Sequence, residues 1–262
     1  MGRHMPIPVT GQAGRLLVEE VPVALVYNGS THAVMMATPA DLEDFAAGFS
    51  ISEGIVERVG DLGEIEIVPQ GEGVELRMWL EEPFAARLAN HRRAMAGPVG
   101  CGLCGIDSIE AALRPPAPVL TRGLELTSAD LREAPAALRR AQPLHDATGA
   151  AHAAGLWRPG QGLVRLREDV GRHNALDKLL GATLKAGETG AGAAVVLTSR
   201  VSVEMVQKAA ALGAEAILAV SAPTTLAVRM AQDAGLTLIT NLKGGEGRVL
   251  AHPTRLKELS SR

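Results

Sequence analysis

Apolar and β-branched positions dominate residues 15–27, Asn28-Gly29 supplies a two-residue turn, and an extended pattern resumes over 30–37. This predicts a β-hairpin. Thr38-Pro39 has the order of an N-cap followed by proline in a first helical turn, and Leu42, Phe45, Ala46 and Phe49 recur at helical spacing on one face. A short helix therefore follows the hairpin. Residues 64–68 and 74–80 alternate around Gln70-Gly71-Glu72-Gly73, a second hairpin, and 84–95 again has a helical pattern. Together these elements predict a small α+β domain over residues 1–97.

The pattern then breaks. In Gly97-Pro98-Val99-Gly100-Cys101-Gly102-Leu103-Cys104-Gly105 the glycines and the proline leave no stable strand or helix interior. Arg114-Pro115-Pro116-Ala117-Pro118 reads as a linker, so residues 98–127 are expected to form a cysteine loop and linker ahead of an α/β domain over 128–262. In that second domain residues 128–140, 174–184, 202–212 and 223–234 have helical patterns, and 148–156, 162–166, 193–197, 216–220 and 236–240 read as strands. Such alternation predicts a sheet that is largely parallel in its second half, with helices on both faces. No internal repeat is visible.

Composition narrows the function classes. Aromatic residues are only 2% of a chain that is 47% hydrophobic, and the net charge is −3, which argues against a nucleic-acid partner that stacks bases or neutralises a backbone. Basic clusters at Arg87, Arg92 and Arg93 and at Arg165, Arg167 and Arg172 still suit a local anionic ligand. Neither an apolar run of membrane length nor a secretory signal is present, so the expectation is a cytoplasmic protein without a membrane partner. The two cysteines cannot supply a secreted disulfide framework, and at CxxC spacing in a reducing compartment they point to metal or to chemistry.

Ligands of open α/β sheets sit beyond the carboxyl ends of the strands, where helix N-termini gather. That rule selects the loops 167–174, 198–202, 221–225 and 241–246. Arg172, Arg200 and Lys243 bring positive charge there, and Ser199, Ser221 and Thr224 bring hydroxyls. Each loop also has a plainer reading: Asn174 with Asp177, Ser202 and Ser221 as helix caps, Asp169 with Arg172 as a local ion pair, His152 and His173 as structural histidines, and Gly244-Gly245 as a hairpin turn.

For Cys101 and Cys104 the readings are two inert thiols, a zinc site, a zinc deaminase, a dithiol oxidoreductase and a sulfur relay. Flanking glycines disfavour a packed apolar site, and no second CxxC or CxxH completes a tetrahedral zinc set. Pro98 with the CxxC resembles a deaminase element, yet no histidine is followed two residues later by glutamate. Dithiol oxidoreductases place CxxC after a strand at a helix start rather than in a glycine loop. A relay thiolate must be nucleophilic, exposed and able to reach two partners, which the glycines favour.

Several motifs in order carry a resemblance: Cys101-Gly102-Leu103-Cys104-Gly105, Thr148-Gly149 with His152-Ala153, REDVGRHNALDKLLG over 167–181, Ser199-Arg200-Val201-Ser202-Val203-Glu204-Met205, and Ser221-Ala222-Pro223-Thr224. Along nearly its whole length the chain resembles the formate dehydrogenase accessory sulfurtransferases, the FdhD family. The resemblance implies a homodimer whose α/β part is a cytidine-deaminase-like mixed sheet. It also implies that sulfur is taken as a persulfide from a cysteine desulfurase and delivered to the molybdenum bis(molybdopterin guanine dinucleotide) cofactor of formate dehydrogenase. By the same resemblance Cys101 bears the persulfide, with Cys104 beside it in the relay, and Asn241, Leu242, Lys243, Gly244, Gly245 and Glu246 match the cofactor-binding segment, although this chain has Asn241 and Lys243 where an aromatic and an arginine are common. Asp169, Arg172, His173, Arg200 and Ser221 complete the expected cofactor site, GDP-like nucleotides are expected to mimic the bound cofactor, and no metal site is expected. The alternative is a cofactor-binding chaperone whose CxxC holds a metal or is redox-active.

Overall fold

A computed structural model of the chain describes residues 16–86, 88 and 114–257. The CxxC loop and residues 89–95 of the third helical pattern lie outside the described residues, while residues 84–86 are helical.

In the N-terminal part, β1 (Val21–Tyr27) and β2 (Ser30–Ala37) form the first hairpin, α1 (Leu42–Ser52) follows, and β3 (Ile65–Gln70) and β4 (Gly73–Met78) form the second. Parallel pairing of β1 with β4 joins the hairpins into one sheet of order β2-β1-β4-β3. Alternation turns Val23, Leu25, Leu76 and Met78 to one face, where they pack with Tyr27, Phe45 and Phe49 beneath α1. The predicted Thr38-Pro39 cap is corrected: α1 starts at Leu42 from Asp41, whose φ is 52°. Thr38 instead binds the C-terminal part, its N–H donating to Asp169 and its hydroxyl accepting from Val170 N–H.

The C-terminal part runs α2 (Ser128–Arg140), α3 (Pro143–Thr148), β5 (His152–Arg158), β6 (Gly162–Asp169), α4 (Arg172–Lys185), β7 (Ala194–Leu197), α5 (Val203–Ala211), β8 (Ala216–Ala219), α6 (Thr225–Ala234), β9 (Thr237–Lys243) and β10 (Glu246–Ala251). Its sheet has the order β10-β9-β8-β7-β5-β6, with β7, β8 and β9 mutually parallel and the outer pairings antiparallel. Leu176, Leu179, Met205, Val206 and Ala231 of α4, α5 and α6 cover one face; Ala134 and Leu138 of α2, with Leu124 and Leu126, cover the other. A mixed α/β fold with helices on both faces is thus what forms. Two elements depart from the sequence reading. Residues 148–151 are not strand, because α3 ends at Thr148 and β5 begins at His152, and β10 adds an antiparallel edge after the Gly244-Gly245 turn.

Helices α1 and α4 hold the two parts together. A Cβ on Gly48 would lie 1.8 Å from the Asp177 carbonyl oxygen and one on Gly181 would lie 1.9 Å from that of Asp44, so the backbones touch where both helices have glycine. Around this crossing, Lys178 Nζ reaches Asp169 at 2.6 Å and the Thr38 carbonyl at 2.9 Å, and Lys208 Nζ meets Asp177, Ser52 Oγ and Glu53. Burial works against the Lys208 charge, but the Asp177 and Glu53 carboxylates outweigh it and hold the ammonium above its ordinary pKa. Nearer the surface Arg167 pairs with Asp44, and Arg114, where the described chain resumes, donates to the Ser52 and Glu53 carbonyls.

Candidate functional site

Strand direction decides which residues meet. At the carboxyl edge of β7, β8 and β9 the chain presents Thr198, Val220 and the β9–β10 hairpin. Because β5 and β6 run the other way, this same edge receives the start of β5 at His152 and the end of β6 at Asp169, which face each other in the ladder. Thr198 Oγ1 accepts from Ala153 N–H at 2.9 Å, Val220 N–H donates to Leu197, and Asn241 N–H donates to Ser221. The loops chosen from the sequence therefore do share one edge.

Their roles differ from one another. Asp169, expected at the cofactor site, is fully enclosed and accepts from Thr38 N–H, Gly171 N–H, Asn174 Nδ2 and Lys178 Nζ, which makes it a structural anchor of this edge. Its partner is Lys178, not Arg172. Asn174 and Asp177 do not form a capping box: Asn174 ties Asp169 to the Met36 carbonyl, and Asp177 pairs with Lys208. Arg172 opens α4, and its Nε is enclosed without a partner among the described residues. His173 Nε2 lies 3.2 Å from Glu204 Oε2, which also accepts from Ser202 Oγ at 2.6 Å. The hydrogen bond from His173, with that of Ser202 and against burial, lowers the Glu204 carboxyl to about 2. Arg200 is exposed and Ser221 half-buried.

Within 241–246, the Leu242 side chain packs into the core with Ile239 and Leu218 on the α2 face. Gly244 and Gly245 adopt φ of 62° and 91° in the hairpin turn, and Gly245 lies so close to α2 that a Cβ would come within 1.9 Å of Arg132 Cγ. Asn241, Lys243 and Glu246 are exposed and free to meet a ligand at the hairpin tip.

Sequence reasoning missed the concavity beside these loops. A cavity of ≈ 490 Å³ opens between α2, α3 and the sheet edge, with Leu138, Arg139, Gln142, His145, His152 and Thr198 among its walls. Glu168 shapes it. Its carboxylate accepts from Leu144 N–H and His145 N–H at the start of α3 and from Gln142 Nε2. The His145 Nδ1 lies 3.0 Å from the Ala151 carbonyl, which can only accept, so that nitrogen carries the proton. Burial, then the positive Arg172 with His145 and His173, lower the His152 pKa, so at neutral pH it presents a neutral imidazole. The available signal was the Thr148-Gly149 and His152-Ala153 motif, whose Gly149 and His152 line this wall.

The sequence matches the profile of the FdhD/NarQ family over residues 18–257. It is 48% identical over 249 residues to the sulfur carrier protein FdhD of Agrobacterium fabrum, covering 95% of this chain and 91% of that protein. To the sulfur carrier protein FdhD of Cupriavidus necator it is 51% identical, over 94% of this chain and 85% of that protein. In three dimensions it is similar to the crystal structure of a candidate formate dehydrogenase accessory protein from Desulfotalea psychrophila, with a TM-score of 0.72 and 25% identity across 93% of this chain and 91% of that one.

Proposed function

The chain belongs to the FdhD/NarQ family, and from that membership we propose that it carries sulfur for the maturation of formate dehydrogenase. In this reading Cys101 takes sulfur as a persulfide from a cysteine desulfurase and delivers it to the molybdenum bis(molybdopterin guanine dinucleotide) cofactor, bound as cargo at the carboxyl edge of the C-terminal sheet. The observation that carries the reading is identity of 48% and 51%, across more than nine-tenths of this chain, with proteins named as sulfur carriers. Supporting it, the only two cysteines of the chain stand at CxxC spacing, and the sheet edge offers Arg172, Arg200 and Lys243 for phosphates.

The chemistry balances in two steps. The Cys101 thiolate attacks the outer sulfur of the donor persulfide; the donor S–S bond breaks, the donor cysteine leaves as thiolate, and a persulfide forms on Cys101 without net redox change. Release to molybdenum as sulfide needs two electrons. The Cys104 thiolate supplies them by attacking Cys101 Sγ, so that the outer sulfur departs as hydrosulfide and a Cys101–Cys104 disulfide remains for a dithiol reductant. We place this cycle in a cytoplasmic homodimer; among the described residues no helix is long and apolar enough to cross a membrane.

Mass spectrometry after incubation with a cysteine desulfurase and cysteine tests the first step: one added sulfur atom on the Cys101 peptide is expected. In cells lacking their own carrier, Cys101→Ala should abolish formate dehydrogenase activity while the variant stays folded. Retained activity would favour a chaperone whose thiols do no chemistry.

A further inference from the structure

His173 and Glu204 form a carboxylate–imidazole pair where α4 and α5 begin, with Ser202 Oγ donating to the same Glu204 oxygen that meets His173 Nε2. The Glu204 carboxyl, held near 2, is ionised and can only accept, so Nε2 carries the ring proton and the neutral ring keeps its lone pair on Nδ1. Among the described residues Nδ1 has no hydrogen-bond partner. The two side chains are 28% and 31% exposed, so a reactant can approach them. Helices α4 and α5 already pack through Leu176, Leu179, Met205 and Val206, and a half-open ion pair adds little to such a seam. A carboxylate that fixes one ring nitrogen and leaves the other free is the arrangement of an acid–base histidine.

The segment that bears the cysteines rejoins the described chain beside this pair. Arg114 donates to the Ser52 and Glu53 carbonyls, and its own carbonyl accepts from Gln207 Nε2 at 2.7 Å. Gln207 follows Glu204 by one turn of α5, a spacing that puts both on one helix face about 5–6 Å apart. Cys104 precedes Arg114 by ten positions, which span at most about 33–36 Å, so its thiol can reach His173.

We infer that His173 Nδ1 takes the proton of the Cys104 thiol when sulfur is released, with Glu204 as its positioning residue. The inference rests on the proposed function, whose second step needs a Cys104 thiolate at a pH where an ordinary cysteine is mostly protonated. The proton passes from Cys104 Sγ to Nδ1 while Sγ attacks Cys101 Sγ. The bond to the outer sulfur breaks, and that sulfur, keeping its own proton, leaves with the electron pair as hydrosulfide. A Cys101–Cys104 disulfide remains for the dithiol reductant, and the imidazolium, facing the Glu204 carboxylate, returns its proton to water. The other charged or titratable groups near the ring are Arg172 on its own helix and His152 at the start of β5.

A single turnover of the full-length protein, mixed with a stoichiometric persulfide-bearing cysteine desulfurase, tests this. Mass spectrometry follows sulfur on the Cys101 peptide, a fluorescent probe follows hydrosulfide, and Cys104→Ala sets the background. His173→Gln should slow release relative to Cys101 loading by about a hundredfold at pH 7, within the range of general-base effects. Its release rate should then climb about tenfold per pH unit towards the ordinary thiol pKa of about 8.5, closing the gap with wild type near pH 9. Glu204→Gln, whose amide oxygen still accepts from Nε2–H but carries no charge, should slow release by roughly tenfold. Should His173→Gln fail to fold, Glu204→Gln decides, and an unchanged release rate in it overturns the inference. Release from His173→Gln at the wild-type rate, or slowed equally from pH 6 to 9 as a structural defect would be, overturns it too, as does a wild type that loads Cys101 yet frees no hydrosulfide. If wild type takes no sulfur on Cys101, the proposed function itself falls.

Discussion

Lys178 and Asp169, from the two ends of the REDVGRHNALDK run, are both fully enclosed and lie 2.6 Å apart. Removing one member of such a pair strands the other without water, at about 3–5 kcal/mol. Lys178→Met should therefore lower unfolding free energy in urea by that amount, and a loss below about 1 kcal/mol would show that the pair contributes little. The run was legible as a distinctive string, but its roles were not, because the partners are remote: Thr38 donates to Asp169 across 131 positions and Ser52 to Asp177 across 125. Glu204 gives a pH test. Its folded pKa is about 2, below its ordinary 4.5, so the folded state binds fewer protons and the stabilisation is complete above pH ~4.5, fading as pH falls towards 2. Since Glu204 is about one-third exposed, solvent screening reduces this to roughly 1 kcal/mol. Glu204→Gln should be less stable than wild type by that amount at pH 7 and equal to it near pH 2, and a difference independent of pH would assign the effect to packing.

At the scale of elements, the α1–α4 crossing depends on two absent side chains. Gly181→Ala would place a Cβ 1.9 Å from the Asp44 carbonyl, and backbone cannot move aside as a flexible side chain does. The helices must separate, at roughly 1–3 kcal/mol, which for a chain of this size lowers Tm by several degrees; an unchanged melting curve would mean that the crossing is loose. Glycine at such a place carries no pattern that a sequence can display. Elements with their own periodicity fared otherwise: both N-terminal hairpins and the β7-to-β9 alternation were visible because strand period, turn residues and helix faces are local signals. The six-residue α3 was not, since it is held by Glu168 accepting from its first N–H groups, a tertiary cap. β10 escaped notice because its pattern is short and four of its six residues are exposed.

For the whole molecule, the question is whether the two sheets unfold as one body. Each has its own apolar core, and the element pattern with its glycine- and proline-rich break predicts two domains joined by a linker. Yet the buried pairs of the C-terminal part complete their hydrogen bonding across the boundary: Lys178, paired with Asp169, also donates to the Thr38 carbonyl, Lys208, paired with Asp177, also meets Ser52 and Glu53, and Asp169 also accepts from the Thr38 N–H. Losing the N-terminal sheet would leave these groups of the C-terminal part exposed to water but without geometry, and the carboxyl edge at Asp169 and Arg172 would lose its support. Opening either sheet alone thus forfeits the interface as well as its own core, which couples the two. Hydrogen exchange read by mass spectrometry should accordingly give the slowest amides of β1 and β4 the same opening free energy as those of β7 and β8, within ~1 kcal/mol. If the N-terminal sheet opens at several kcal/mol less, the interface is a docking contact between independent units. The site edge would then be held by the C-terminal sheet alone, and Lys178→Met would disturb ligand binding far less than stability.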